Sequence, residues 1–175
     1  MSGSATLQDR LLFDTERGQV LDQDRRYILM RADVLMGMFS ELPEHSRADV
    51  LQAFARSVFR HGGKSVSAYA LGVGNAPEAL FNTAGAGAAS LGWGVWTFEH
   101  RPRECILRVK NSPFARAAGP SQRPVCAPIL GMFQAVCSHA WQRPVAVLET
   151  RCCACANDHP PHTGEECTFH ASLQL

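Results

Sequence analysis

The chain has 175 residues, 46% of them hydrophobic, and a formal net charge of +1. That length supports one domain with a real core, and that composition is globular rather than disordered. No Lys/Arg run exceeds two residues and no apolar run approaches 18, so a nucleic-acid surface, an anionic-membrane surface and a membrane span are not indicated. The opening MSGSATLQDR is polar, unlike a secretory leader. Seven cysteines without such a leader point to a reducing cytoplasm, where clustered cysteines more often bind metal than pair as disulfides.

In chain order, residues 1–10 read as a flexible tail and 11–175 as a single domain. LLFD (11–14) and RYILMR (26–31) are short apolar runs joined by a polar stretch with Gly18, which suggests a strand pair. ADVLMGMFSEL (32–42) turns helical. Ser46 then reads as a helix N-cap, followed by the apolar stripe Val50, Leu51, Phe54, Ala55, Val58 and Phe59, with Gly62-Gly63 as its end. Residues 64–71 and 77–92 read as helices, the second rich in Ala and Gly.

WGVWTFEHR (93–101) and ECILRVKNS (104–112) read as two strands turning at Arg101-Pro102. SPFARAAGPSQR reads as a loop. Pro124 suits a helix start, and Val125, Ile129, Met132, Phe133, Val136 and Ala140 mark the buried face of a helix ending near Trp141. PVAVLET (144–150) and CTFHASL are the last two strands, separated by a loop rich in Cys, His and Pro. The element order predicts an α+β fold, with helices packed on a mostly antiparallel sheet.

The densest chemistry lies at the C-terminal end. Cys126 falls in the first turn of its helix, where the positive helix end favours a thiolate. Glu149 and Cys152 flank the end of one strand, and Cys167 begins the next. A hairpin there brings Cys152 and Cys167 together, with Cys126 supplied by the helix. Spacing alone leaves the ligand set open: Cys153, Cys155, His159 and His162 are rivals in the same loop, and buried thiols packed as small hydrophobes are the plain alternative. The CxxC formed by Cys152 and Cys155 lacks the strand-to-helix setting of a thioredoxin-like redox motif. LGVGNA (71–76) and GAGAASLG (85–92) lack the βαβ setting of a dinucleotide site. Cys137 and His139, two apart on a helix, point away from each other.

PVCAPILG, VAVLETRCCA and GEECTFH together resemble the 4-vinyl reductase domain family. Its signature is a helix-start Cys, a strand ending Glu-x-x-Cys-x-Ala and a Gly-x-x-Cys-x-Phe strand, matched here by Cys126, Glu149, Cys152, Ala154, Gly164, Cys167 and Phe169. The match is strongest over residues 93–175, and the loop carrying Cys153, Cys155, His159 and His162 is longer than usual for the family. The resemblance implies a zinc ion held by Cys126, Glu149, Cys152 and Cys167, with the loop cysteines and histidines as alternative ligands. It also implies a fold like the nitric-oxide-signalling and Golgi-transport ligand-binding domains, a homodimer, and a relation to phenol-responsive bacterial regulators. In that sensor branch, aromatic effectors bind in a cavity near the zinc. Tyr69, Phe81, Trp93, Trp96, Phe98, His100 and Phe114 are the candidate lining here, with Trp141 a further polar handle, although core packing is the plainer role for each aromatic. The function so implied is cytoplasmic binding of a small, mostly apolar or aromatic molecule beside a structural zinc, with an effector protein carrying any output. The alternatives are an enzyme or accessory acting on an aromatic or tetrapyrrole-type metabolite, and a protein-assembly adaptor.

Overall fold

Alternation in the C-terminal half builds the main sheet. The structure, a computed structural model, describes residues 7–73 (69–73 by backbone alone), 76–155 and 166–174. Strands β4 (Val95–Arg101), β5 (Glu104–Lys110), β6 (Val145–Arg151) and β7 (Glu166–Leu173) form an antiparallel sheet in the order β4-β5-β7-β6. Every second residue of the two central strands is buried: Cys105, Leu107 and Val109 on β5, and Cys167, Phe169 and Ala171 on β7. Helix α7 (Ala127–Trp141) lies on that face and buries Ile129, Phe133, Val136 and Cys137 against it. Complete burial of a side chain such as Phe133 contributes about 2–3 kcal/mol. Helix α5 (Pro77–Ser90) covers β4.

The expected break at Gly62-Gly63 does not occur. Helix α3 (Glu44–Ser57) runs through one π turn, Val58–Gly62, straight into α4 (Gly63–Val73). A Cβ on Gly62 would lie 2.7 Å from Met132 Cε, and one on Gly63 would lie 3.3 Å from Ala135 Cβ. These glycines admit α7 rather than stop a helix. The start of α3 also differs from expectation. Ser46 lies in its first turn, with its N–H on the Pro43 carbonyl at 2.9 Å, and Pro43 takes the N-cap position.

The N-terminal region departs further from the reading by sequence. Residues 7–10, placed in the tail, form a helical turn, α1 (Leu7–Arg10), because Leu7 is buried and Arg10 pairs with buried Asp22 at 3.2 Å. The polar stretch around Gly18 contains a strand of its own. β1 (Leu12–Asp14), β2 (Gln19–Asp22) and β3 (Arg25–Tyr27) make a separate antiparallel sheet with β2 in the middle. Residues 28–31 leave the strand before α2 (Ala32–Ser40).

The loop expected over 112–123 holds a short helix, α6 (Pro113–Ala118), capped by Ser112, whose Oγ accepts from the Ala115 N–H at 3.3 Å. Helix α7 begins at Ala127 rather than Pro124, so Cys126 is its N-cap and not part of its first turn. Among the described residues, no helix is long and apolar enough to cross a membrane.

Candidate metal centre

The strand pair β6–β7 sets up the centre through a one-residue slip. Glu149 pairs with Phe169, but Arg151 then pairs with Thr168. In a regular strand, residues 149 and 152 point to opposite faces. The bulge at Thr150 restores parity, so Cys152 turns inward beside Cys167 and on the same side as Glu149. The Glu-x-x-Cys spacing is therefore a bulge signature. Helix α7 brings the third cysteine from above, held at the cap by the Leu130 N–H on the Cys126 carbonyl at 3.1 Å.

The ligand atoms of Cys126, Glu149, Cys152 and Cys167 all lie within 4.8 Å of one another, and all four residues are buried. The Cys126 N–H donates to Glu149 Oε2 at 3.0 Å. The other carboxylate oxygen, Oε1, is buried with no hydrogen-bond partner among the described residues. Ser112 Oγ lies 3.2 Å from Cys126 Sγ. The Cys126 and Cys167 sulfurs are 3.7 Å apart, and thiolates about 2.3 Å from a central zinc in a tetrahedron would be separated by about 3.8 Å. The donor chemistry and this spacing fit zinc.

Charge is unevenly shared among the four. Burial, reinforced by Cys152, pushes the Glu149 carboxyl up to about 9. Cys126 is raised because it donates to Cys152 and Cys167, with burial adding to the effect. Cys152 receives those hydrogen bonds, from Cys126 first and then Cys167, and is held down to about 2. Hydrogen bonding with Cys126 favours the Cys167 thiolate, but Cys152 and burial outweigh it, and Cys167 is raised. The thiolate thus belongs to Cys152, not to Cys126 as the helix end alone suggested.

The rival ligands fall in different places. Cys153 is half-buried, with its Sγ 3.3 Å from Cys167 Sγ and its N–H donating to the same sulfur at 3.3 Å. It does not belong to the mutually close set of four. Cys155 is buried and turned back by its N–H on the Cys152 carbonyl at 2.9 Å. His159 and His162 lie outside the described residues, as does Gly164. Sequence reading missed Ser112, whose only signal is a Ser-Pro helix start 14 residues before Cys126.

The aromatic candidates divide into two groups. Phe81 meets Phe98 at 5.0 Å and His100 at 5.3 Å, and Trp96 meets Phe98 at 6.1 Å. Trp93 meets Phe114 edge-on at 5.3 Å. Phe81, Trp96 and Phe114 are buried, Trp93 and Phe98 are half-buried, and His100 is exposed. Trp96 donates its indole N–H to the Trp93 carbonyl at 3.1 Å. The Tyr69 side chain is outside the described residues, and Trp141 is half-buried at the end of α7. A depression of about 270 Å³ lies elsewhere, lined by Phe59, Gly63, Ser67, Ala135, Ser138, His139 and Gln142, none of them a sequence candidate.

The model of the 4-vinyl reductase domain matches residues 105–173. The fold is similar to the phenol-responsive sensory domain of the transcription activator PoxR, solved with phenol, at 17% identity and a TM-score of 0.73, covering 97% of this chain and 91% of that one. It is also similar to a vinyl-4-reductase family protein from Methanocaldococcus jannaschii (12% identity, TM-score 0.50, 82% and 91% covered). A third similar structure is trafficking protein particle complex subunit 3 from Naegleria fowleri, covalently bound to palmitic acid (10% identity, TM-score 0.56, 82% and 95% covered). No curated protein matches the sequence. The matched segment spans both central strands, α7 and all four clustered donors, and residues 105–173 of this chain form a 4-vinyl reductase domain.

Proposed function

We propose that this chain is a zinc-containing protein of the 4-vinyl reductase domain family that captures a small, mostly apolar or aromatic molecule beside a structural metal. Glu149 carries the metal reading. A buried carboxylate with one unpartnered oxygen among three buried thiols costs several kcal/mol unless a cation completes it. Cys126, Glu149, Cys152 and Cys167 would hold the ion. When bound, zinc supplies the positive charge that keeps the donors deprotonated together. Four protein donors fill a tetrahedron and leave no position for a substrate, which favours a structural over a catalytic role. The donors themselves join α7 to β6 and β7.

The small-molecule reading is supported by likeness of fold, over nearly the whole chain, to a phenol-responsive sensory domain. The proposed site is the aromatic group between α5 and β4, Phe81, Trp96, Phe98 and His100, with Trp93, Phe114 and Tyr69 beside it. There apolar rings supply contact area and His100 a polar handle. The homodimer belongs to the same reading. Ile28 and Leu29 are 76% and 78% exposed, and Leu12, Phe13, Met30, Val34 and Met38 are exposed with them. Together these offer several hundred Å², the scale of one side of a standard interface of about 800 Å² per partner.

The test is purification under reducing conditions, followed by metal analysis, light scattering, and thermal shift with a panel of phenols. One zinc per chain, a dimer mass and a stabilising phenol are the expected results. A folded protein that takes up no zinc would sink the metal reading, and a panel without any shift would sink the ligand reading.

A further inference from the structure

Cys153 stands directly against the four-donor set without belonging to it. It differs from the donors in exposure. Cys126, Cys152 and Cys167 are fully buried, whereas Cys153 is half-buried, so an oxidant arriving from solvent meets Cys153 first. It lies 3.3 Å, sulfur to sulfur, from Cys167. Its own N–H donates to the Cys167 sulfur at 3.3 Å, a bond that favours negative charge there. A disulfide requires the sulfurs to close to about 2.05 Å. Cys153 lies on the turn beyond β6, outside the paired ladder, so the strand register does not oppose that movement.

We propose that Cys153 is a redox-sensing thiol that forms a disulfide with Cys167 and so removes one of the four metal donors. This rests on the zinc reading given above. The oxidant is a hydroperoxide. The Cys153 sulfur attacks the peroxide, the O–O bond breaks, and with hydrogen peroxide the products are a Cys153 sulfenic acid and one water. The Cys167 thiolate then attacks the sulfenic sulfur. An S–S bond forms, the S–O bond breaks, and the departing hydroxide takes up a proton as a second water. Two thiols lose two electrons in total and the peroxide gains them. Cys167 sulfur in a disulfide is no longer a thiolate donor, leaving three donors where four held the ion. A thiol reductant reverses the step.

The experiment treats the zinc-loaded chain with hydrogen peroxide and reads zinc release with a chromophoric chelator. Non-reducing peptide mapping follows on zinc-loaded and chelator-stripped protein. Cys153→Ser and Cys153→Ala are the test variants and Cys155→Ser is the control, each first checked for fold and zinc content. The expected result is a Cys153–Cys167 bridge in the wild-type chain and in C155S, with zinc release about tenfold slower in both Cys153 variants. Dithiothreitol plus zinc should restore the loaded form. Release as fast in the Cys153 variants as in the wild type, or a bridge from Cys153 to Cys152 or Cys155 instead, would overturn the proposal. Absence of zinc from the untreated protein, with the Cys153–Cys167 bridge still forming, would overturn the metal reading and leave the thiol pair standing.

Discussion

The Cys126 N–H donates to Glu149 Oε2 at 3.0 Å, tying the N-cap of α7 to β6 across 23 residues of sequence. One oxygen of this carboxylate therefore holds the fold, while the other faces the thiols. The two roles separate by substitution. Glu149→Gln keeps an acceptor for the Cys126 N–H and replaces a group that is already protonated in the metal-free protein at neutral pH. Its metal-free stability should stay within about 1 kcal/mol of wild type, while zinc affinity falls by about 10–100-fold. Glu149→Ala also leaves the Cys126 N–H unpaired, at a further cost of about 1–3 kcal/mol. Competition with a fluorescent chelator and melts in EDTA measure both. Equal losses of stability in the two variants would refute the division of roles.

Zinc loading should expel protons. Near pH 7 in the metal-free centre, Glu149, with its carboxyl at about 9, and the raised thiols of Cys126 and Cys167 carry three protons, and Cys152 carries none. A fully deprotonated donor set must release all three. Calorimetric titration in buffers of different ionisation enthalpy should give a slope of about three protons per ion. A slope near zero would mean that the ion binds elsewhere.

The metal-free protein should show a plateau of stability against pH. Glu149 is raised from 4.5 to about 9, so its contribution is fully present below 4.5 and lost as pH rises toward 9. Cys152 is lowered from 9.0 to about 2, so its contribution is present above 9 and lost as pH falls toward 2. Between 4.5 and 9 the two slopes oppose: the folded pair holds its one proton on Glu149, and the unfolded pair holds its one proton on Cys152. This centre therefore adds no net slope in that window. Below 4.5 the unfolded pair binds an extra proton and stability falls. Above 9 the raised thiols of Cys126 and Cys167 keep protons that the unfolded chain loses, and stability falls again. Urea melts of chelator-stripped protein from about pH 4 to about pH 10 test this. A steady rise through neutral pH would contradict the charge distribution.

The four donors were legible because each stands on an element with a strong pattern. The alternation of ECILRVK, VAVLETR and CTFHASL gave β5, β6 and β7, and the Ile129, Phe133 and Val136 stripe gave α7. Which cysteine carries the charge was not legible, because it depends on who donates to whom among sulfurs brought together across 41 residues, as with Cys126 and Cys167. Glycine was the other source of error. Gly62-Gly63 carries the signature of a helix end, but its function is close approach to Met132 and Ala135, a tertiary demand that local sequence does not express. Strand β2 was missed because its sequence, QVLD, is short and half polar, and its pairing partners on both sides supply the order.

The same demand for close approach is strongest at Gly131. A Cβ there would lie 2.1 Å from the Ala55 carbonyl oxygen and 2.9 Å from its carbonyl carbon. Both are backbone atoms of α3, so no side-chain rotation relieves the clash, and α3 and α7 must separate. Gly131→Ala should cost about 2–4 kcal/mol and lower Tm by about 5–15 °C. Gly87, in α5, faces open space at the same point of construction, so Gly87→Ala should be neutral or stabilise by up to about 1 kcal/mol. The pair separates packing from helix propensity, which acts in the same favourable direction in both. Helix α7 also carries Cys126 at its N-cap, so displacing it moves one donor relative to Glu149, Cys152 and Cys167. Zinc affinity should therefore fall in G131A and stay unchanged in G87A, read by chelator competition at a temperature where both variants remain folded. Unchanged affinity in G131A despite the lower Tm would show that the cap holds its position independently of the helix packing behind it.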